Sequence, residues 1–166
     1  MSNFSIIKAD PDQIEDIIQI AYATWPATYS AILSPEQLSY MLEQFYSKTH
    51  LSERMQKGNL FYLVQQAGAS LGFMELEPDE KPGYTKLHKL YVLPEVQGLK
   101  LGRLLLNEAI MIAQQAQQKG LFLNVNRYNK ALHFYEKLGF ECTETVDIHI
   151  GNGFYMNDFI MQLNFK

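Results

Sequence analysis

The feature that most constrains the fold of this chain is a strand, a long helix and a second strand in direct succession. Lys86 to Leu93 reads as a strand and is closed by Pro94. Helical spacing runs from about Gly102 to Lys119, with Leu105, Ala109, Ile112, Ala113 and Ala116 on one face and Gly120 as its stop. Leu121 to Asn126 is apolar and strand-like. A crossover helix between two such strands makes a βαβ unit, which is parallel and right-handed. The rest of the chain must extend that sheet. The expected class is α/β: a mixed central sheet with helices on both faces.

Upstream, Phe4 to Lys8 reads as a strand, and Asp10–Pro11 as the cap of a helix carrying Ile14, Ile17, Ile18 and Ala21. Trp25–Pro26 should break that helix. Ser34, Pro35 and Gln37 start a second helix, and a third runs around Ser52 to Lys57 and stops at Gly58. Leu60 to Gln65 and Ser70 to Glu77 read as paired strands across Gln66–Ala67–Gly68, with Pro78 to Gly83 as a loop. Downstream, Asn129 opens a helix ending near Leu138–Gly139. Thr145 to Ile150 then turns at Asn152–Gly153, a pair suited to positive φ, into Phe154 to Phe165.

At 166 residues the expectation is a single domain over 1–166. One cysteine, Cys142, excludes an internal disulfide framework and any multi-cysteine metal site. No apolar run approaches the roughly 18 residues of a membrane helix. Met1 to Lys8 lacks a basic region ahead of a long apolar stretch, so a cytoplasmic chain with no membrane partner is expected. The net charge of −4 argues against nucleic acid as the main partner. Its distribution is uneven. Residues 86–140 hold eight basic and three acidic side chains, and the remainder six and fifteen. One stretch suits an anion while the rest faces cations, unless these are simply solvated charges.

Two segments carry chemistry. The loop Pro94–Glu95–Val96–Gln97–Gly98–Leu99–Lys100–Leu101–Gly102–Arg103 enters the long helix. Its glycines and the helix N-terminus present backbone N–H groups suited to phosphate. It has neither the Gly-Lys-Ser/Thr ending of a nucleoside-triphosphatase loop nor the three-glycine dinucleotide pattern. The second segment is Asn129 to Phe140, in which Ala131, Phe134, Tyr135 and Leu138 share one helix face.

Together these segments resemble the GNAT family of N-acetyltransferases. Leu90–Tyr91–Val92–Leu93–Pro94 is similar to the family's central strand. Gln97 to Gly102 resembles its acetyl-CoA loop, and Phe134 to Phe140 its common helix ending. The resemblance implies acetyl-CoA as co-substrate, no metal, and direct attack by an amine with no acyl-enzyme. It implies that pantetheine pairs with the backbone of Leu90, Tyr91 and Val92, where the parallel strands splay. It implies that pyrophosphate lies on the N–H groups from Gly98 to Arg103, and that Asn126 or Asn129 contacts the cofactor. Tyr135 would protonate the leaving thiolate, which a phenol of pKa near 10 can do.

Two departures stand out. Lys100 occupies the first glycine position of the family loop, and Tyr128 the place where asparagine is common. The base is open between His88, which shares a strand face with Leu90 and Val92, and Glu75 on the neighbouring strand. His133, His149 and Cys142 are given no catalytic role.

The layout around Thr24 to Tyr29 and the Ser34–Pro35 helix resembles the bacterial spermidine/spermine branch. A small cationic amine is therefore the expected acceptor. Glu75, Glu77, Asp79, Glu80, Glu141, Glu144 and Asp147 would supply an acidic wall, and Trp25, Tyr29, Tyr46 and Tyr155 aromatic faces. Peptide N-termini and other small amines are the alternative acceptors. A non-catalytic acyl-CoA-binding module and an interaction protein are the alternative classes. A homodimer sharing the C-terminal strand is left open.

Overall fold

The structure, a computed structural model, describes residues 3–166; Met1 and Ser2, the start of the segment read against a secretory signal, lie outside the described residues. Seven strands form one mixed sheet in the order β1-β2-β3-β4-β5-β7-β6. They are β1 (Phe4–Lys8), β2 (Leu60–Gln66), β3 (Ala69–Lys81), β4 (Tyr84–Val92), β5 (Gly120–Asn126), β6 (Glu141–Gly151) and β7 (Phe154–Asn164). The helices are α1 (Ile14–Tyr29), α2 (Pro35–Phe45), α3 (Lys48–Gln56), α4 (Leu101–Gln115) and α5 (Ala131–Lys137). The chain clusters into two compact units. One comprises the residues up to Glu77 with His88–Ala109, the other Pro78–Leu87 with Ile110–Lys166.

In the first unit β1, β2 and β3 pair antiparallel, from Phe4↔Gln66 to Lys8↔Tyr62 and from Leu60↔Leu76 to Gln66↔Ala69. Ala67 and Gly68 both take positive φ at the two-residue turn, which matches the strand twist. Asp10 Oδ1 accepts from the Asp12 N–H, and Gln13 closes the capping box in return. Ile17, Ala21, Leu51, Phe61, Leu63, Phe73 and Leu105 are buried in this core.

Contrary to the expected break, α1 continues through Trp25 and Pro26 to Tyr29. Proline forfeits one helical bond, but Trp25 and Tyr29 both bury their rings only if the helix persists. Their ring centroids lie 4.6 Å apart, and Trp25 lies 5.5 Å from Tyr46 and 5.7 Å from Tyr91. The third helix begins earlier than expected, at Lys48, because Ser47 Oγ accepts from the His50 N–H and caps it.

In the second unit β4 and β5 are parallel, with Tyr84↔Gly120 through Lys86↔Phe122 in register, as the βαβ reading requires. β7 pairs antiparallel with both β5 and β6. The β6–β7 turn is at Asn152 and Gly153, both at positive φ. β6 starts at Glu141, four residues before the expected Thr145, because Glu141 and Cys142 already pair with Gln162 and Met161.

Pro78 to Lys81 is strand rather than loop. Asp79 sits at φ +54, and its Oδ1 accepts from the Gly83 N–H and from Gln118, so a local irregularity lets β3 run past the proline. α4 stops at Gln115, where Gln117 takes the left-handed turn and Gln118 N–H reaches back to the Ala113 carbonyl. Gly120 is therefore not the helix stop but the first residue of β5. A Cβ there would lie 2.1 Å from the Leu163 carbonyl oxygen, so close approach of the strands demands glycine.

Candidate active site

Leu93 leaves β4 with its N–H bonded to the Leu71 carbonyl at 2.9 Å, which anchors the start of the loop. Pro94–Val96 makes one 3-10 turn. Gly98 follows at φ +98 and Lys100 at φ +60. The loop thus makes two left-handed turns, and the lysine occupies one of them at a cost of about 1 kcal/mol in backbone strain. Gly98 would leave a Cβ in open space, so φ alone requires glycine there. Gln97 Nε2 reaches back to the Val92 carbonyl at 3.4 Å.

Lys100 supplies the carbonyl that accepts the first α4 bond, from Leu104 at 3.1 Å. The N–H groups of Leu101, Gly102 and Arg103 therefore have no helical acceptor. No acidic residue lies in the first turn of α4, and Lys100 and Arg103 are exposed. Helix-end N–H donors, a positive helix end and two exposed cations, with no acid in the first turn of α4, fit a pyrophosphate. On β4, Leu90 and Val92 are half-buried on the face that also carries His88, as the alternation predicts.

His88 and Glu75 occupy different electrostatic settings. Glu75, on β3, is fully buried. Its Oε1 accepts from Lys89 Nζ at 2.6 Å, and its Oε2 from Asn59 Nδ2 at 2.6 Å and from Arg54 Nε. Burial alone would raise this carboxyl. The Lys89 and Arg54 cations and the hydrogen bonds from Lys89 and Asn59 override that and hold it at about 2. Burial, and then the same two cations, lower His50 to about 4.

His88 places Nε2 2.8 Å from Glu77 Oε1. Lys57 Nζ lies 3.6 Å from Glu77 Oε2. The pairing of Glu77 with His88 was not anticipated from the sequence. Its signal is the offset between two antiparallel strands, which becomes readable only once the β3–β4 turn is located at Pro82–Gly83.

The acidic wall is largely spent within the protein. Glu75 is neutralised as described, Glu80 lies 3.9 Å from Lys86, and Arg127 pairs with Asp147. Trp25 and Tyr46 are buried against each other and offer no open ring, whereas Tyr155 is exposed. Lys89 Nζ already lies 5.5 Å from the Tyr46 ring centroid.

In the second unit, the Tyr135 ring on α5 is buried, with Phe134 at 5.2 Å and Phe140 at 5.5 Å. Asn129 Oδ1 accepts from the Ala131 N–H and Asn126 Oδ1 from the Tyr128 N–H, each at 2.9 Å. Both carboxamides therefore hold the β5–α5 loop by their oxygen. His133 is solvated beside Glu136, and His149 packs on Tyr155 at 5.1 Å.

Residues 29–162 match the family model described as an acetyltransferase (GNAT) domain. The chain belongs to the GNAT acetyltransferase family. It is an enzyme that uses acetyl-CoA to acetylate an amine. The acetyltransferase is 30% identical to spermidine N(1)-acetyltransferase of Thermoplasma acidophilum, over 99% of each chain. Among solved structures it resembles the PaiA N-acetyltransferase of that organism in complex with coenzyme A. That likeness is at 29% identity and a TM-score of 0.83, over 98% of this chain and 99% of that one. The ribosomal-protein-S18-alanine N-acetyltransferase of Escherichia coli matches at 20% identity and a TM-score of 0.74, over 97% and 93%, and shares the fold. No helix of the described residues is long and apolar enough to cross a membrane.

Proposed function

We propose that this acetyltransferase acts, as a single catalytic domain in the cytoplasm, on a polyamine or a similar small cationic amine. The observation that carries this reading is the end-to-end likeness to a spermidine acetyltransferase. It includes the α1–α2 region and the β6–β7 hairpin. Glu141 and Glu144 on β6 remain exposed and are the acids available to a cation.

Acetyl-CoA is held by the backbone of Leu90, Tyr91 and Val92, by the loop Gln97–Gly98–Leu99–Lys100–Leu101–Gly102–Arg103, and by the donor ends of Asn126 or Asn129. His88 takes the proton of the acceptor ammonium, because only the neutral amine has a lone pair for the thioester carbon. The amine nitrogen bonds to that carbon, the C–S bond breaks, the thiolate takes the phenol proton of Tyr135, and the second proton shed by the nitrogen as the amide forms restores the phenol by way of solvent. Glu75 serves as the charge anchor of α3, β3 and β4 rather than as the base, since three donors occupy its oxygens.

The test is thiol release from acetyl-CoA against spermidine, spermine, short diamines and peptides with free N-termini. Turnover concentrated on polyamines, cut about 100-fold in Tyr135→Phe, is expected. Turnover on peptides alone would overturn the acceptor and leave the chemistry intact.

A further inference from the structure

Outside the groups already given roles, the most developed constellation is the carboxylate bound to the imidazole on β4. Glu77 on β3 and His88 on β4 face each other, with Oε1 and Nε2 2.8 Å apart. Both side chains are mostly buried, at 23% and 16% exposure, so their interaction is weakly screened. Resting on the reading of His88 as base, we propose that Glu77 is a positioning residue for acetyl transfer. It orients the His88 ring and stabilises the imidazolium formed when the acceptor ammonium gives up its proton.

The bookkeeping of that step is simple. An N–H bond of the ammonium breaks and an N–H bond forms on the imidazole. The cation so created lies against the Glu77 anion, and the amine keeps the electron pair that attacks the thioester. With Glu77 ionised, its oxygen requires a proton on Nε2, which places the ring lone pair on Nδ1. Glu77 is suited to remain an anion. Burial works against it, but the hydrogen bond and charge of His88, then Lys57 and Arg54, lower its carboxyl.

Beyond His88, the cations that act on Glu77 come from α3 and the residue after it. From the end of α3 come Arg54, committed to Glu75, and Lys57, 3.6 Å from the other Glu77 oxygen. Lys89, the next residue on β4, lies on the other strand face and is bound to Glu75. Lys57 is half exposed and binds the oxygen that His88 does not use, so it fixes the carboxylate plane without competing for the ring.

The experiment compares wild type, Glu77→Gln, Glu77→Leu and His88→Gln by pH profiles of kcat and kcat/KM, using the amine turned over fastest. Glu77→Gln keeps an acceptor for Nε2–H but removes the charge. The acid limb should move down by about one pH unit, as expected for loss of a neighbouring opposite charge. Its plateau kcat should fall about tenfold, a fraction of the full contribution of a general base. The KM for acetyl-CoA should stay within about twofold, because the residue binds no cofactor. Glu77→Leu should lose more of kcat, since orientation goes as well.

A Glu77→Gln enzyme with an unmoved limb and full kcat overturns the proposal, provided His88→Gln is impaired. Full activity in His88→Gln instead overturns the base assignment itself, and the two failures are thereby told apart. Should the variants not fold, the 15N shifts of the His88 ring in the wild-type protein decide. A proton on Nε2 at neutral pH supports the pairing, and a proton on Nδ1 overturns it.

Discussion

Glu75 is a buried carboxylate whose removal leaves two cations without their anion. Glu75→Gln would strand Lys89 and Arg54, whose side chains are 9% and 18% exposed. A cost of about 3 kcal/mol follows from breaking a buried ion cluster by one partner. Urea unfolding of the variant against wild type measures it. The same group sets an acid limit. Its folded carboxyl is held at about 2, below the ordinary 4.5, so its stabilisation is complete above 4.5 and is lost as pH falls toward 2. His50, lowered to about 4 from 6.5, acts in the same direction. A histidine harder to protonate in the folded state costs stability as pH drops from 6.5 to 4. Stability should therefore begin to decline below about pH 6.5 and fall further below 4.5. Glu75→Gln should flatten the lower part of that decline. An unchanged lower slope in the variant would contradict the burial of a charged Glu75.

Elements differ in how much of them could be read from the chain. β1, the Ser34 cap and the Asn152–Gly153 turn were legible because the deciding chemistry is local: alternation, a side-chain acceptor, two residues tolerant of positive φ. The loop after β4 was picked out by its glycines, but the left-handed turn at Lys100 shows only in the backbone. The run of α1 through Pro26 was not legible, because ring burial among residues far apart in sequence outweighs one lost hydrogen bond. Gly120 was misread as a helix stop because its real partner, Leu163, lies 43 positions away. The neutralisation of Glu75 was invisible because its partners come from α3, the residues after it, and β4.

Two predictions belong at this scale. Gly120→Ala drives a methyl into the Leu163 carbonyl and should destabilise by roughly 3 kcal/mol, read by thermal unfolding. Lys100→Gly relieves about 1 kcal/mol of strain but frees the unfolded chain by a similar amount, so its Tm should barely move. Its KM for acetyl-CoA should rise several-fold and become less sensitive to salt, since a cation beside the phosphates is lost. A KM that falls instead would mean the backbone strain outweighs the charge.

At the scale of the whole molecule, the uneven charge divides into exposed loop cations and acids that are partly paired within the protein. The basic stretch contains the loop cations Lys100 and Arg103, whereas several acids of the remainder are consumed by internal pairs. Coenzyme A is a multiply charged anion that binds the folded chain alone. At one hundred times its Kd, acetyl-CoA should add about 2.7 kcal/mol. That corresponds to a Tm rise of roughly 5–10 °C for a chain of this length. A flat Tm across that range would remove the cofactor from the loop.

The aromatic cluster on α1 has an optical corollary. Trp25 is the chain's one tryptophan, buried, with the rings of Tyr29, Tyr46 and Tyr91 within 6 Å. Those tyrosines can pass excitation energy to a single indole, and the emission should shift to the red when water reaches it. Every residue of that antenna belongs to the first compact unit. Tryptophan emission therefore watches one unit, while far-ultraviolet circular dichroism averages over both. Overlaying the two curves from one denaturation distinguishes a protein that melts in a single event from one that melts in stages.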